Sequence, residues 1–243
     1  MSPENECSLG KYLAVCGIAS RRHAVDLIRR GLVQVNGREE RNPASRVSEG
    51  DEVVCGGRKA ELPERRFYIM LHKPRGYVCT SSDPHAAKKA VDLIRLPGEP
   101  RLYSAGRLDK NSEGLILFSN DGAFVHFLTH PGNGVRKTYE VSLARPLRDG
   151  DADRMLRGIR SDGETLSALS VERIGERKYR LVLGEGRNRE IRRMADSLDN
   201  EVVRLKRVAV GGLELGSLPC GSWRELTEAE RRSVMTASVP DSR

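Results

Sequence analysis

Gly106 to Gly122 reads G-R-L-D-K-N-S-E-G-L-I-L-F-S-N-D-G. An acid, Asp109, sits in an Arg-Leu-Asp triplet, and the apolar run Leu115-Ile116-Leu117-Phe118 close behind it has the character of a buried strand. An acid held near a strand end, beside an arginine, in a basic protein suggests a nucleophile presented to an anionic substrate. Taken alone, an aspartate is better explained as a helix cap, a turn residue or half of a surface ion pair. The length of the pattern, and what accompanies it elsewhere in the chain, favours the functional reading.

The chain has 243 residues, enough for one or two domains with a core that needs no staples. Lys and Arg number 42 against 34 Asp and Glu, a net charge of +8 at pH 7 with pI near 9.4. That balance favours a polyanionic partner without identifying one. The five cysteines, Cys7, Cys16, Cys55, Cys79 and Cys220, are odd in number and form no C-x-x-C pair. They read as free thiols in a reducing compartment. No H-E-x-x-H spacing occurs, and His126 with His130, four apart, fits surface or capping roles better than a metal site. No run of 18 apolar residues is present, and Met1-Ser2-Pro3-Glu4 does not open a signal peptide, so a cytoplasmic protein without a membrane span is expected.

Residues 8–60 read as a small domain. Ser8 can cap a helix from Leu9 to Cys16 ended by Gly17, and Ser20 a second from Arg21 to Arg30 ended by Gly31. On the second, Ala24, Leu27 and Ile28 share an apolar side, while Arg21, Arg22 and Arg29 gather on the other. One arginine-bearing helix is most simply a solvated face. Here only Asp26 is available as an acidic partner, and Arg21 and Arg22 lie at a helix N-terminus, where phosphate is also attracted. Leu32 to Val35 alternates as a strand before the tight turn Asn36-Gly37, and Val53-Val54-Cys55 reads as another strand.

Residues 60–66 form a polar linker. Beyond it, strands are expected at Phe67–Leu71, Thr138–Leu143, Val171–Ile174, Tyr179–Leu183 and Val202–Val210. Helices are expected at Ala123–Thr129, from an Asn188 cap to about Leu198, and after the capping box Thr227-Glu228-Ala229-Glu230, with a frayed tail from Ser238. Many strands and few helices indicate an α+β domain, 67–236, on a mainly antiparallel mixed sheet. Gly186 to Met194, G-R-N-R-E-I-R-R-M, carries four arginines against one glutamate. On a helix, Ile191, Met194, Ala195 and Leu198 make an apolar stripe with Arg189, Arg192 and Arg193 opposite, a pattern suited to phosphate.

Two resemblances follow. Leu9-Gly10-Lys11-Tyr12-Leu13, Gly17-Ile18-Ala19-Ser20-Arg21-Arg22, Ile28-Arg29-Arg30-Gly31 and Val33-Gln34-Val35-Asn36-Gly37 resemble the RNA-binding domain named after ribosomal small-subunit protein four. The G-R-L-D-x-x-S-x-G-L segment from Gly106, Lys137-Thr138-Tyr139-Glu140-Val141 and the Gly186–Met194 segment resemble bacterial ribosomal RNA pseudouridine synthases of the RsuA/RluB type. Lys73-Pro74-Arg75-Gly76 and Ser119-Asn120-Asp121-Gly122 fit the same pattern, which spans roughly residues 8–236.

The resemblance implies isomerisation of a specific uridine in ribosomal RNA, without cofactor or metal. Asp109 is then the catalytic aspartate, Tyr139 the tyrosine that stacks on the target base, and Arg192 the arginine paired with the aspartate. Arg107 helps hold the flipped-out nucleotide. Lys137, Arg187, Arg189 and Arg193, with Lys11, Arg21, Arg22 and Arg29 of the first domain, are the implied RNA contacts. Ser112 stands where Thr is usual, Glu190 where Gln is common, and His72 where Asn is frequent; these bear on substrate choice rather than reaction type. The reading leans to large-subunit RNA, with small-subunit RNA or a non-catalytic RNA-binding assembly factor as alternatives. A glycosidase is disfavoured because only one acid stands in a motif. A monomer is expected, since no extended apolar stripe is left over.

Overall fold

The computed structural model describes residues 6–48, 50–80 and 88–236. The chain divides into two units, one of residues up to Arg66 with 96–101 and 120–122, the other of the remaining residues. The expectations for Met1–Glu4 and for the tail from Ser238 fall outside the described residues.

In the first unit β1 (Cys7–Ser8) leads into α1 (Leu9–Val15) and α2 (Arg21–Arg29), followed by β2 (Val33–Val35), β3 (Arg38–Glu39), β4 (Arg46–Val47), β5 (Val53–Cys55) and β6 (Arg58–Lys59). A four-stranded antiparallel sheet runs β3-β2-β5-β6, and β1 pairs with β4. Asn36 and Gly37 both take positive φ, 52° and 77°, which a two-residue hairpin turn between β2 and β3 requires. Ser20 caps α2 as expected, its hydroxyl accepting the His23 N–H at 3.2 Å. Ser8 does not cap α1; it holds the N-cap position without a side-chain bond. Backbone carbonyls do that work instead, Ser45 accepting from Leu9 N–H at 2.8 Å and Pro43 from Gly10 N–H at 3.2 Å. Leu9, Leu13, Ala24, Ile28, Val33 and Val53 form the core, while Lys11, Arg21, Arg22 and Arg29 are all exposed.

The second unit comprises β7 (Tyr68–Lys73), β8 (Tyr103–Ala105), β9 (Glu113–Ser119), α3 (Gly122–Thr129), β10 (Lys137–Leu143), α4 (Asp151–Arg157), β11 (Ile159–Ser161), β12 (Glu164–Leu166), β13 (Ser170–Arg173), β14 (Lys178–Leu183), α5 (Glu190–Asp196), β15 (Val202–Val210), β16 (Leu213–Glu214), β17 (Trp223–Glu225) and α6 (Glu228–Thr236). Most fall within a residue or two of their expected places. The α6 capping box forms as read, with Glu230 N–H donating to Thr227 Oγ1 at 3.2 Å and Thr227 N–H to Glu230 Oε2 at 2.9 Å. The start of α5 differs. Arg189, not Asn188, is the N-cap residue, at φ 49°, and the Glu190 carboxylate reaches back to accept the Arg187 N–H at 3.0 Å. Arg189 therefore stands outside the helix, and the three arginines do not share one helix face.

The large sheet, ordered β13-β14-β10-β15-β9-β7-β17, is antiparallel except at its centre, where β15 and β9 run parallel. It is the α+β, mainly antiparallel architecture expected from the sequence. The parallel ladder is short, Lys206 opposite Glu113 and Arg207 opposite Gly114. Side chains reinforce it: Arg204 Nη2 meets Glu113 Oε1 at 2.6 Å, and Arg207 Nε donates to the Leu115 carbonyl at 2.7 Å. Gly114 has φ 112°, and a β-carbon there would collide with the backbone of Arg207. Only glycine permits this approach. Gly114→Ala is expected to cost about 2–4 kcal/mol through backbone strain and forced separation of the two strands. A fall in the urea midpoint at unchanged slope is the measurement, and a midpoint equal to the parent's contradicts this account of the ladder.

Candidate active site

One transverse row of the sheet positions most of the polar groups. Leu181 of β14 lies opposite Tyr139 of β10, Tyr139 opposite Arg207 of β15, Arg207 opposite Gly114 of β9, and Gly114 opposite Lys73 of β7. Laterally paired residues project to the same face. The row therefore sets Tyr139, Arg207 and Lys73 on one side of the sheet. A register shift between Thr138 and Tyr139, which leaves Val208 unmatched in β15, adjusts the strands beside this point.

Asp109 comes from the loop between β8 and β9, and other groups hold that loop from below. Gly76 N–H donates to the Lys110 carbonyl at 2.7 Å, and Ser112 N–H to that of Asp109 at 3.0 Å. The Leu108 N–H donates to Cys79 Sγ at 3.3 Å. Lys73, fully buried, organises the turn that carries Gly76, its ammonium donating to the carbonyls of Pro74 at 2.9 Å and Tyr77 at 2.8 Å. The Lys-Pro-Arg-Gly motif thus serves as the scaffold of the aspartate loop. Burial pushes the Lys73 amine below its ordinary value and the Cys79 thiol above its own.

A cavity of about 420 Å³ opens over this row, within the size range of small-ligand sites. Asp109, Tyr139, Arg107, Lys137, Arg187 and Arg189, all singled out in the sequence, line it. So do Arg207, Glu190 and Ser112. Ser112 Oγ and Arg207 Nη2 are buried without a hydrogen-bond partner. Burial pushes the Glu190 carboxyl up, with the neighbouring Arg187 pulling it the other way. Arg207 is the group that sequence reasoning missed. Its signal was a charge at the position where alternation along β15 puts Leu205 and Arg207 on one face.

Two arginines lie elsewhere than expected. Arg192 makes no ion pair with Asp109. Its Nη1 donates to the Val202 carbonyl at 3.0 Å and its Nη2 to that of Asn111 at 3.4 Å, so it braces the aspartate loop through backbone. Burial and nearby Arg189 hold its guanidinium below the ordinary value, opposed by the charge of Asp109. Arg193 does not line the cavity. It grips the β11–β12 hairpin, with Nη1 on Glu164 Oε2 at 2.7 Å, Nε on Asp162 Oδ2 at 3.1 Å and Nη2 on the Ser161 carbonyl at 2.5 Å. Lys11, Arg21, Arg22 and Arg29 belong to the first unit.

Among the described residues no cluster of His, Cys, Asp and Glu is placed to hold a metal ion, and no helix is long and apolar enough to cross a membrane. The five cysteines are free. His130 accepts the Gly132 N–H at 3.1 Å, a capping role.

Burial pushes Lys137 down to about 8, with Arg207 adding to the shift and Glu190 and Glu185 opposing it. The unfolded amine titrates near its ordinary value, so between these two values the unfolded chain binds the extra proton and folding gains as pH rises. Lys137→Met removes the charge in both states. Its stability relative to the parent should be greatest below pH about 8 and decline as pH climbs towards about 10.5, followed by thermal midpoints in matched buffers. A difference that stays constant over that window contradicts the burial of a charged amine here.

Comparison with known proteins identifies the family. The family model described as RNA pseudouridylate synthase matches residues 67–197, more than half the chain, and the S4 domain matches 9–53. Ribosomal large subunit pseudouridine synthase B of Bacillus subtilis (strain 168) is 37% identical over 230 residues, covering 91% of this chain and 93% of its own. Ribosomal small subunit pseudouridine synthase A of Vibrio vulnificus (strain CMCP6) is 34% identical over 233 residues, covering 93% and 98%. A solved structure described as a crystal structure of pseudouridylate synthase superposes at TM-score 0.69 with 31% identity, over 94% of this chain and 99% of that one. With the aspartate loop, the tyrosine strand and the basic cavity in place, the chain belongs to the RNA pseudouridylate synthase family, with an S4 domain at its N-terminal end.

Proposed function

We propose that the protein converts one uridine of ribosomal RNA to pseudouridine, with residues 8–60 binding RNA and 67–236 carrying the reaction, as a cytoplasmic monomer without cofactor. The observation that carries this reading is the meeting of Asp109 and Tyr139 in one basic cavity, although one comes from the β8–β9 loop and the other from β10, with 29 residues between them.

Isomerisation breaks the bond from C1′ to N1, turns the uracil, and joins C1′ to C5. Its product has the same atoms, with a proton moved from C5 to N1. The Asp109 carboxylate is the group that adds to the ring or sustains charge on the sugar. Reaching a paired base costs a few kcal/mol of lost stacking. Stacking on Tyr139 returns about 1–3 kcal/mol, and contacts to the backbone from Arg107, Lys137 and Arg189 add to it. Arg192 acts through the aspartate loop. Lys11, Arg21, Arg22 and Arg29, exposed on the first unit, supply sequence-independent attraction. Arg187 is shared with Glu185 at 2.9 Å on an exposed surface, a weak pairing that a phosphate can replace. Arg193 is left out of the RNA contacts because its guanidinium is taken by the hairpin.

Large-subunit RNA is the preferred target, in line with the slightly higher identity to the Bacillus subtilis relative, 37% against 34%. Pseudouridine mapping of both ribosomal RNAs decides it. Cells with wild-type protein are expected to modify one uridine that stays unmodified in cells lacking the protein or carrying Asp109→Asn. The purified variant should lose about a thousand-fold or more in rate while binding RNA within about three-fold of the parent. Full modification in all three strains would sink the assignment to ribosomal RNA and favour an assembly factor. The four contacts assigned to the second unit, from Arg107, Lys137, Arg187 and Arg189, alone predict an affinity that drops at least about a hundred-fold between 50 and 200 mM salt. Affinity insensitive to salt would contradict the assignment of the cationic surfaces to RNA.

A further inference from the structure

The structure sorts the many cations around the cavity by what already holds them. Arg193 is bound to the β11–β12 hairpin, Arg192 to two backbone carbonyls, and Arg204 to Glu113. Arg187 is bound to Glu185 and, at 3.1 Å, to the Thr165 carbonyl. Arg107 and Arg189 line the cavity as exposed side chains, and Arg192, whose Nε is also buried without a partner, is not among the lining residues; Lys137 and Arg207 differ in being lining cations withdrawn from solvent. Among the described residues the Lys137 ammonium has no hydrogen bond or ion pair, although the side chain is half-buried. Arg207 is 4% exposed, spends Nε on the Leu115 carbonyl, and keeps Nη2 buried without a partner.

Sheet geometry forces these two cations together. Arg207 lies directly across from Tyr139, and Lys137 lies two residues before Tyr139 on the same strand, so all three project to one face. Arg207 is close enough to disfavour the charge on Lys137. Two like charges in a half-buried wall repel, and Glu190 and Glu185 offset this only in part, since neither forms an ion pair with Lys137 or Arg207. Glu185 pairs with Arg187, Glu190 accepts the Arg187 N–H, and Asp109 makes no ion pair with either cation. An arrangement of this kind is stabilised by a ligand anion. A neutral carbonyl oxygen of a base satisfies a donor and leaves the repulsion in place, whereas a phosphodiester oxygen removes both.

We infer that Lys137 and Arg207 together form a single phosphate subsite beside Tyr139, which takes a backbone phosphodiester of the RNA next to the base stacked on that tyrosine. This rests on the RNA reading above and adds Arg207 as a substrate-positioning residue. A guanidinium anchored at Nε to strand β9 fixes direction, and the ammonium adds mobile charge.

The test is RNA binding as a function of salt, with in vitro transcribed small- and large-subunit ribosomal RNAs as probes. Wild type, Lys137→Gln, Lys137→Arg, Arg207→Gln and the double Gln variant are compared, with folding checked by circular dichroism. Lys137→Gln is expected to flatten the slope of log affinity against log salt by about 0.7–0.9, one phosphate contact, and Lys137→Arg to restore it. The double variant should flatten it by about one contact and not two, because both cations serve the same phosphate. If Arg207→Gln does not fold, the Lys137→Gln and Lys137→Arg pair decides alone. An unchanged slope in Lys137→Gln, or a loss of two contacts in the double variant, overturns the shared subsite. A thermal midpoint raised by inorganic phosphate in wild type but not in Lys137→Gln, with the RNA slope unchanged, makes it a free-phosphate site and also overturns the assignment. Wild-type protein that binds neither RNA removes the underlying RNA reading, a result distinct from wild-type binding with an unaltered variant slope.

Discussion

The approach of β9 to β15 at Gly114 is the constraint on which the catalytic unit depends. On one side of that line stand β7, β8, β9 and β17, on the other β10, β13, β14, β15 and β16, and within each block the strands pair antiparallel. The aspartate loop belongs to the first block and the tyrosine strand to the second. Only two residue pairs of parallel ladder join them, aided by the Arg204–Glu113 pair and the Arg207–Leu115 bond. A side chain at position 114 would hold Asp109 and Tyr139 apart, whatever else was preserved. The glycine of the G-R-L-D-x-x-S-x-G-L pattern is thus a structural requirement of the cavity rather than part of its chemistry.

Arginine-rich stretches look alike in sequence and diverge in structure. Four arginines within nine residues suggested one phosphate-facing surface. The left-handed turn at Arg189 breaks that surface, and the neighbours of each guanidinium then determine its use. Arg192 steadies a loop and Arg193 holds a hairpin, while Arg187 and Arg189 face the cavity. Lys73 is similar. A lysine in a basic RNA enzyme invites an electrostatic role, yet this one is fully buried and ties a turn to its own carbonyls. Charge count describes the partner of such a protein. Burial and hydrogen bonding describe what each cation does.

Local signals carried much of the fold. The Asn36-Gly37 turn, the Ser20 cap and the Thr227–Glu230 box rest on interactions between residues close in sequence, and each appears as read. Caps that depend on distant chain were not legible. Ser8 has the right side chain, but the carbonyls of Pro43 and Ser45 reach the helix first. The Asn188 cap failed for a local reason instead: the helix starts one residue later, at Glu190, behind an Arg189 N-cap, and the Glu190 carboxylate accepts the Arg187 N–H. Asp109, Tyr139 and Lys137 could be named from motifs. Alternation along β15 marks Arg207 only as a charge on the face of Leu205; its importance comes from lateral register with Tyr139 and Gly114, and register across 68 residues is not written in that one strand.

The short central ladder also bears on how the molecule comes apart. Native proteins open along cooperative units whose boundaries have the fewest shared bonds, and here such a boundary runs beneath the cavity floor. A nucleotide bound as proposed, against Asp109 on one bank and Tyr139 on the other, would span that boundary. Ligand that binds only the joined form adds its own free energy to the joint. The short join between the two blocks would then be tightened by the nucleotide proposed to bind across it.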